Sequence, residues 1–308
     1  LGGDLRIEVG RLTLAGSAAL GTGSVSPVPL GGAPFTGPGG RVEVVADSVR
    51  VEGGSQISTS TDGAGDAGDL ELAVREDLVL TGKLGLDQPS GLFARSGSAL
   101  GSGATGDGGR LVVRAGSLVV EDGAQINSTT VGVGRAGAID VETRGRLDVD
   151  GGRISAIASG VGGTGDVRLA AGRRLRLRGG AEVVSEAPVP LPGPTSPGDP
   201  PSAGSIVLVA GDRVVVDGAR IATDSARPES GDVRIEAVRG ITLVDAAITT
   251  NVDSPSGRGG DVLLDTQALV LADSLVTANA DGTNADAGDV TLRAGAGLLQ
   301  STASTVEA

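Results

Sequence analysis

Two aspartates one residue apart, Asp148 and Asp150 in "RLDVDGG", are the first residues whose spacing suggests chemistry. On an extended strand they share a face at about 6.6–7 Å, a separation that suits the carboxyl pair of an inverting glycosidase. A second group is a row of Gly-Asp dipeptides with Asp4, Asp69, Asp166, Asp232, Asp261 and Asp289. If the last three stack, they are weak candidates for a divalent metal, because Ca²⁺ takes carboxylate and backbone oxygens. A third is "RRLRLRGG", Arg173 to Gly180, with four arginines in six residues, a candidate anion site. Catalytic thiols, imidazole bases and disulfides are excluded, since the 308 residues include no Cys and no His. No G-x-x-x-x-G-K-[ST] phosphate loop occurs, and the nonapeptide Ca²⁺ repeat does not recur. Nothing calls for a cofactor.

Composition narrows the field. The net charge is −13, and of 25 basic residues all but Lys83 are Arg. An acidic chain without Trp or Tyr has neither the basic face nor the stacking platforms of a nucleic-acid binder. No window of about 18 apolar residues spans a membrane, and the aromatic girdles of a membrane barrel are missing. Leu1 opens directly in repeat-like sequence, with no signal-peptide pattern.

The elements that must position these residues come from a repeat. A Gly, one variable residue and an aliphatic recur from Gly3, Gly40, Gly68, Gly109, Gly137, Gly165, Gly204, Gly231, Gly260 and Gly288. Six of the nine intervals lie within one residue of 28 and the other three are longer by about ten. Each unit carries three short segments of alternating apolar residues, the strand period, and none carries helical spacing. Three such strands bury their apolar face only by stacking on the next unit. The expectation is all-β: a right-handed parallel β-helix (solenoid) of about ten coils of roughly 28 residues, one domain over 1–308. At about 4.8 Å per coil this is a rod of about 45–48 Å. An immunoglobulin-type array would need longer units and an aromatic core. Side insertions are expected near 16–38, 82–107 and 186–203; they hold Phe35 and Phe93, and the last is Pro-rich.

Stacking reassigns the charges. Asp148 falls beside Arg176 and Asp150 beside Arg178, with Asp217 next to Arg178 on the other side. Such cross-strand pairs contribute about 0.2–1 kcal/mol each. They hold both carboxylates ionised, which argues against a general acid here. Of the arginines, Arg174 is left between Arg146 and Arg213, a narrow column and the possible anion site, with Arg173 beside Asp212. In the Gly-Asp column, the aspartates are expected to cap their own turns. The Ser/Thr-rich third segments ("ISTST", "INSTT", "ITTN") are expected to form an outward polar ladder, too irregular to bind ice. Val207, Val209, Val215, Leu263 and Val270 are expected to point outward, where a patch would mark a covered or binding face.

The repeat "GDAGDLELAV", preceded by "GSQISTST" and followed by "PSGLFARSGSALGSGATGDGG", resembles the repeat region of filamentous-haemagglutinin-type exoproteins of two-partner secretion. The resemblance covers essentially the whole chain, and "PSGLF", Pro89 to Phe93, is its most specific part. It implies a non-enzymatic, adhesin-like rod, secreted or displayed on the bacterial surface and exported through an outer-membrane barrel. It also implies contact with a host, matrix or cell-surface glycan or protein. The family's N-terminal secretion domain is not seen, so the chain is expected to be an excerpt of a longer protein. Two alternatives stay open: a carbohydrate-active β-helix enzyme (polysaccharide lyase or hydrolase) and a Ca²⁺-stiffened structural module.

Overall fold

A computed structural model describes residues 2–23, 37–61, 64–86, 88–97, 105–160, 162–188, 202–254, 256–295 and 299–308. Among these residues the chain is all-β, without helices, and its strands lie in long parallel sheets. No helix is therefore long and apolar enough to cross a membrane.

Each unit contributes up to three strands to the two long sheets, and each of these pairs with its equivalent one unit later; Ser256–Arg258 and Asn284–Asp286 form a further parallel pair. In the first row Ile139 pairs with Val167, Val167 with Ile206 and Ile206 with Val233. In the second row Leu147 pairs with Leu175 and Leu175 with Val214. The third strands, from Ala19–Gly21 to Thr305–Glu307, form one ten-stranded sheet in chain order. First and second strands run on as one in Leu5–Leu14 and Val42–Glu52 and are separate from Leu70–Val74 and Asp77–Thr81 onward.

The apolar alternation explains the register. Val42, Leu70, Leu111, Ile139, Val167, Ile206, Val233 and Val262 form one fully buried column. A one-residue slip of a strand would turn its column member to solvent, and each burial contributes about 1.5–3 kcal/mol.

The repeat glycine has a different cause. A Cβ on Gly68 would lie 1.9 Å from the carbonyl oxygen of Gly40, and one on Gly109 2.0 Å from that of Gly68. The same overlap recurs at Gly231 and Gly260, where the distances are 2.2 and 2.0 Å. Backbones of successive units meet here more closely than any side chain permits. A second column, between the second and third strands, is left-handed: Gly151, Gly218, Asp245 and Asp273 have φ of 62, 59, 46 and 50°. Gly and Asp are the residues that tolerate this conformation best.

Unit three departs from the expected insertion over 82–107. Gly91–Phe93 is its third strand, pairing with Gln56–Ser58 on one side and with Gln125, Ile126 and Asn127 on the other. Phe93 is buried at 1% exposure, with the Arg95 guanidinium 3.9 Å from its ring centre. What leaves the unit before that strand is an antiparallel hairpin, Lys83–Leu84 against Gln88–Pro89. Unit one likewise keeps a third strand, Ala19–Gly21, inside the expected 16–38 segment. Phe35 and residues 189–201 of the Pro-rich segment lie outside the described residues.

Candidate functional site

The two aspartates of "RLDVDGG" sit on Leu147–Asp150, paired in parallel with Arg174–Arg178. Asp148 is opposite Arg176 and Asp150 opposite Arg178, as the repeat alignment implies. Arg178 Nη2 reaches Asp150 Oδ2 at 2.8 Å. Asp148 differs. Its ion pair is with Arg146, on its own strand segment, at 3.7 Å, and its other oxygen, Oδ1, is enclosed without a hydrogen-bond partner. Arg176 has no carboxylate within 4.0 Å among the described residues. An arginine stem reaches a neighbour on its own strand as readily as one on the next, so register does not decide which pair closes. Asp217 lies opposite Arg178 without forming an ion pair, and Arg178 stays with Asp150.

The arginine column is formed in part by direct pairing: Arg174 and Arg213 are opposed on neighbouring strands. Arg146 precedes Leu147, whose partner is Leu175, and so heads the same row. Arg174 is half-buried and its Nε is enclosed without an acceptor. Asp212 lies beside Arg173, its backbone N–H donating to the Arg173 carbonyl at 2.8 Å, while its carboxylate pairs with Arg239 at 3.5 Å.

The Gly-Asp column is held by a device that spans two units. Asp4 accepts the backbone N–H of Arg41 at 2.9 Å, Asp69 that of Arg110 at 2.9 Å and Asp166 that of Ser205 at 2.8 Å. Asp232 accepts from Asp261 at 2.8 Å and Asp261 from Asp289 at 2.9 Å. The aspartates thus cap the next unit's amide rather than their own turn. Asp66 and Asp107 do the same for Asp107 and Arg135, at 2.8 and 2.7 Å. Among the described residues no group of three His, Cys, Asp or Glu is placed to hold a metal ion.

The third strands keep part of the expected ladder on their outer side, where Asn127 donates to Ser155 at 2.9 Å, and add an inward column of hydroxyls. Thr59, Ser128, Ser185, Thr223 and Thr250 are fully buried and share one inward column. Their hydroxyls donate to carbonyls of repeat glycines: Ser128 to Gly109 at 3.1 Å, Ser185 to Gly165 at 3.2 Å and Thr250 to Gly260 at 2.5 Å. Thr59 and Thr223 reach Gly68 and Gly231 in the same way. The sequence signal was present: a hydroxyl residue recurs near the glycine that opens a unit. Its direction was not.

The outer side of the third strands carries a charge network. Arg153 is opposite Glu182, and Glu182 opposite Arg220. Arg220 meets Glu186 at 2.7 Å and Asp224 at 2.5 Å. Burial would lower the Arg220 pKa, but the hydrogen bond and charge of Glu186, joined by Asp224, outweigh it and raise it. Glu186 and Asp224, which depart from the Ser and Thr of these segments, are the partners of that arginine.

Val207, Val209, Val215, Leu263 and Val270 are half-buried rather than exposed. Val207 lies between Arg168 and Arg234, and Leu263 opposite Arg234, so arginine stems flank them. A surface groove of about 590 Å³ at the corner of the first units is lined by Val45, Ala73, Arg75 and Arg144, among others. Its charges neutralise one another: Arg75 pairs with Asp47 at 3.1 Å and Arg114 with Glu142 at 2.8 Å. Arg144 crosses the unit between to donate to the carbonyl of Arg75.

The outward residues of this surface therefore bind mainly one another, from unit to unit. The chain matches no family model, no curated protein and no solved structure.

Proposed function

We propose that the chain is a right-handed parallel β-helix of about ten coils, roughly 28 residues each, and acts as a non-enzymatic structural and adhesive rod. In this reading it belongs to a secreted or surface-displayed bacterial exoprotein of the filamentous-haemagglutinin type, exported through an outer-membrane barrel. It projects other segments and meets a glycan or protein of a host, a matrix or a neighbouring cell. The observation that carries the reading is the state of the carboxylate pair. Asp150 is held by Arg178 at 2.8 Å and Asp148 has Arg146 at 3.7 Å. An inverting pair needs both carboxyls open to the sugar and to a water, whereas Asp150 is held by Arg178 and Asp148 Oδ1 is enclosed. Pairing of the strands of the two long sheets with their equivalents in adjacent units supports a rod-like stack.

The test is incubation with a panel of neutral and acidic polysaccharides, with and without Ca²⁺. No new reducing or unsaturated ends are expected. Reproducible cleavage that disappears in Asp148→Asn would overturn the reading and establish a carbohydrate-active enzyme.

A further inference from the structure

Among the described residues three like-charge pairs stand directly opposed on neighbouring strands: Glu43 with Glu71 and Glu236 with Asp265, whose carboxylates each have an arginine partner, and Arg174 with Arg213, which have no carboxylate partner. Like charges directly opposed on neighbouring strands are destabilising. In the paired strands of the described residues, arginines otherwise face carboxylates or uncharged residues: Arg6 faces Glu43, Arg114 faces Glu142, Arg168 faces Asp140 and Arg234 faces Val207. Arg174 and Arg213 alone face each other. Neither has a carboxylate within 4.0 Å among the described residues, nor has Arg176, two residues along the same face. Of the nearby carboxylates, Asp150 pairs with Arg178 and Asp212 with Arg239, while Asp148 lies at the edge of the group, 3.7 Å from Arg146 and with its Oδ1 enclosed without a partner. Arg174 is half-buried at the centre of this group, and its Nε is enclosed with no acceptor.

We propose that Arg146, Arg174, Arg176 and Arg213 form a binding site for a tetrahedral oxyanion, a sulfate or phosphate group. Planar guanidinium forks match such oxygens with paired hydrogen bonds. Neighbouring strands are about 4.8 Å apart, so one doubly charged anion bridges Arg174 and Arg213 and removes their mutual repulsion. The row of three arginines spans about 10 Å, which also admits ester groups carried in series on a polymer. The shared chemistry is the oxyanion; whether it arrives free or on a polymer is a matter for the experiment. The site does not depend on the adhesive reading and stands or falls separately from it.

The test uses the full chain, titrated calorimetrically with inorganic sulfate, inorganic phosphate and dextran sulfate. Sodium chloride at matched ionic strength is the reference. Saturable binding is expected, weakened at least tenfold in the Arg174→Gln/Arg213→Ser double variant and unchanged in Arg234→Gln. Dextran sulfate binding tenfold or more tightly than the free ions assigns the site to serial esters; equal affinity assigns it to the free ion. Binding absent above the chloride reference, or equally weakened by Arg234→Gln, overturns the proposal. Arg213→Ser alone supplies a readout independent of ligand. Without anion it should melt no lower than the wild type, and it should gain less than the wild type from added sulfate. A lower melting temperature for Arg213→Ser without anion would make the pair a structural element and also overturn the proposal.

Discussion

The carboxylate of Asp232 accepts the backbone N–H of Asp261 at 2.8 Å, and the carboxylate of Asp261 accepts that of Asp289 at 2.9 Å. Three like charges one strand apart repel by about 1 kcal/mol per neighbouring pair in water, and a bound cation would be one remedy. The amide is another, already in place. Melting curves recorded in millimolar Ca²⁺ and in EDTA should therefore superimpose. Separation of the curves by several degrees would restore the Ca²⁺-stiffened module. Asp232→Ala should cost about 0.5–1.5 kcal/mol in urea unfolding, and Asp232→Asn, which keeps an acceptor oxygen, less.

Gly260→Ala should be among the most damaging single changes in the chain. Its Cβ would stand 2.0 Å from the carbonyl oxygen of Gly231, so neighbouring backbones must separate. A loss of more than about 3 kcal/mol is expected, in the range of severe strain and packing defects. Gly3→Ala is the matched control, since its Cβ would meet nothing within 4 Å. Thermal or urea melts of the two variants decide the point; equal stability would refute the close-approach account.

Thr250→Val keeps the shape of a buried side chain and removes the donor to Gly260. A buried carbonyl that loses its donor costs about 1–3 kcal/mol. The same change at Thr223, which serves Gly231, should behave alike. If either variant is as stable as the wild type, hydroxyl-to-glycine bonding is not what orders the inner side of the third strands.

Arg220→Met should destabilise through the partners it leaves behind. Glu186 and Asp224 are only 22 and 29% exposed at the side chain and would face each other without the cation. Because the arginine itself is about one-third exposed, solvent screening limits the expected loss to about 1 kcal/mol. The loss should shrink when Glu186→Gln is added, and a double-mutant cycle measures that coupling.

Much of this fold was readable in the residues because alternation has one meaning on a packed strand. Val42, Leu70 and Leu111 had to face one way, and that alone set Asp148 opposite Arg176 and Arg174 opposite Arg213. Two features were not readable. A threonine is content on either side of a strand, provided its hydroxyl finds a partner. The partner of Thr250 is a glycine carbonyl, which a string of residues does not display. Long flexible arginines also choose among several carboxylates at similar reach, so Asp148 pairs with Arg146 and leaves Arg176 aside. The third strand inside "PSGLF" was hidden for a related reason: with Gly91 and Phe93 it lacks the Ser and Thr that mark its equivalents.

In the two long sheets each strand pairs only with its equivalents in adjacent units, and this has a mechanical consequence. Tension applied across the two ends cannot be shared by the whole stack, because no strand bridges distant repeats. Force would shear the outermost unit first and pass inward one unit at a time. Each event would release the residues between successive repeat glycines, 28 between Gly109 and Gly137, or about 90–100 Å of extended chain. The longer intervals, such as the 39 residues between Gly165 and Gly204, would release proportionately more. A single-molecule extension trace would then read out the order of short and long units along the chain.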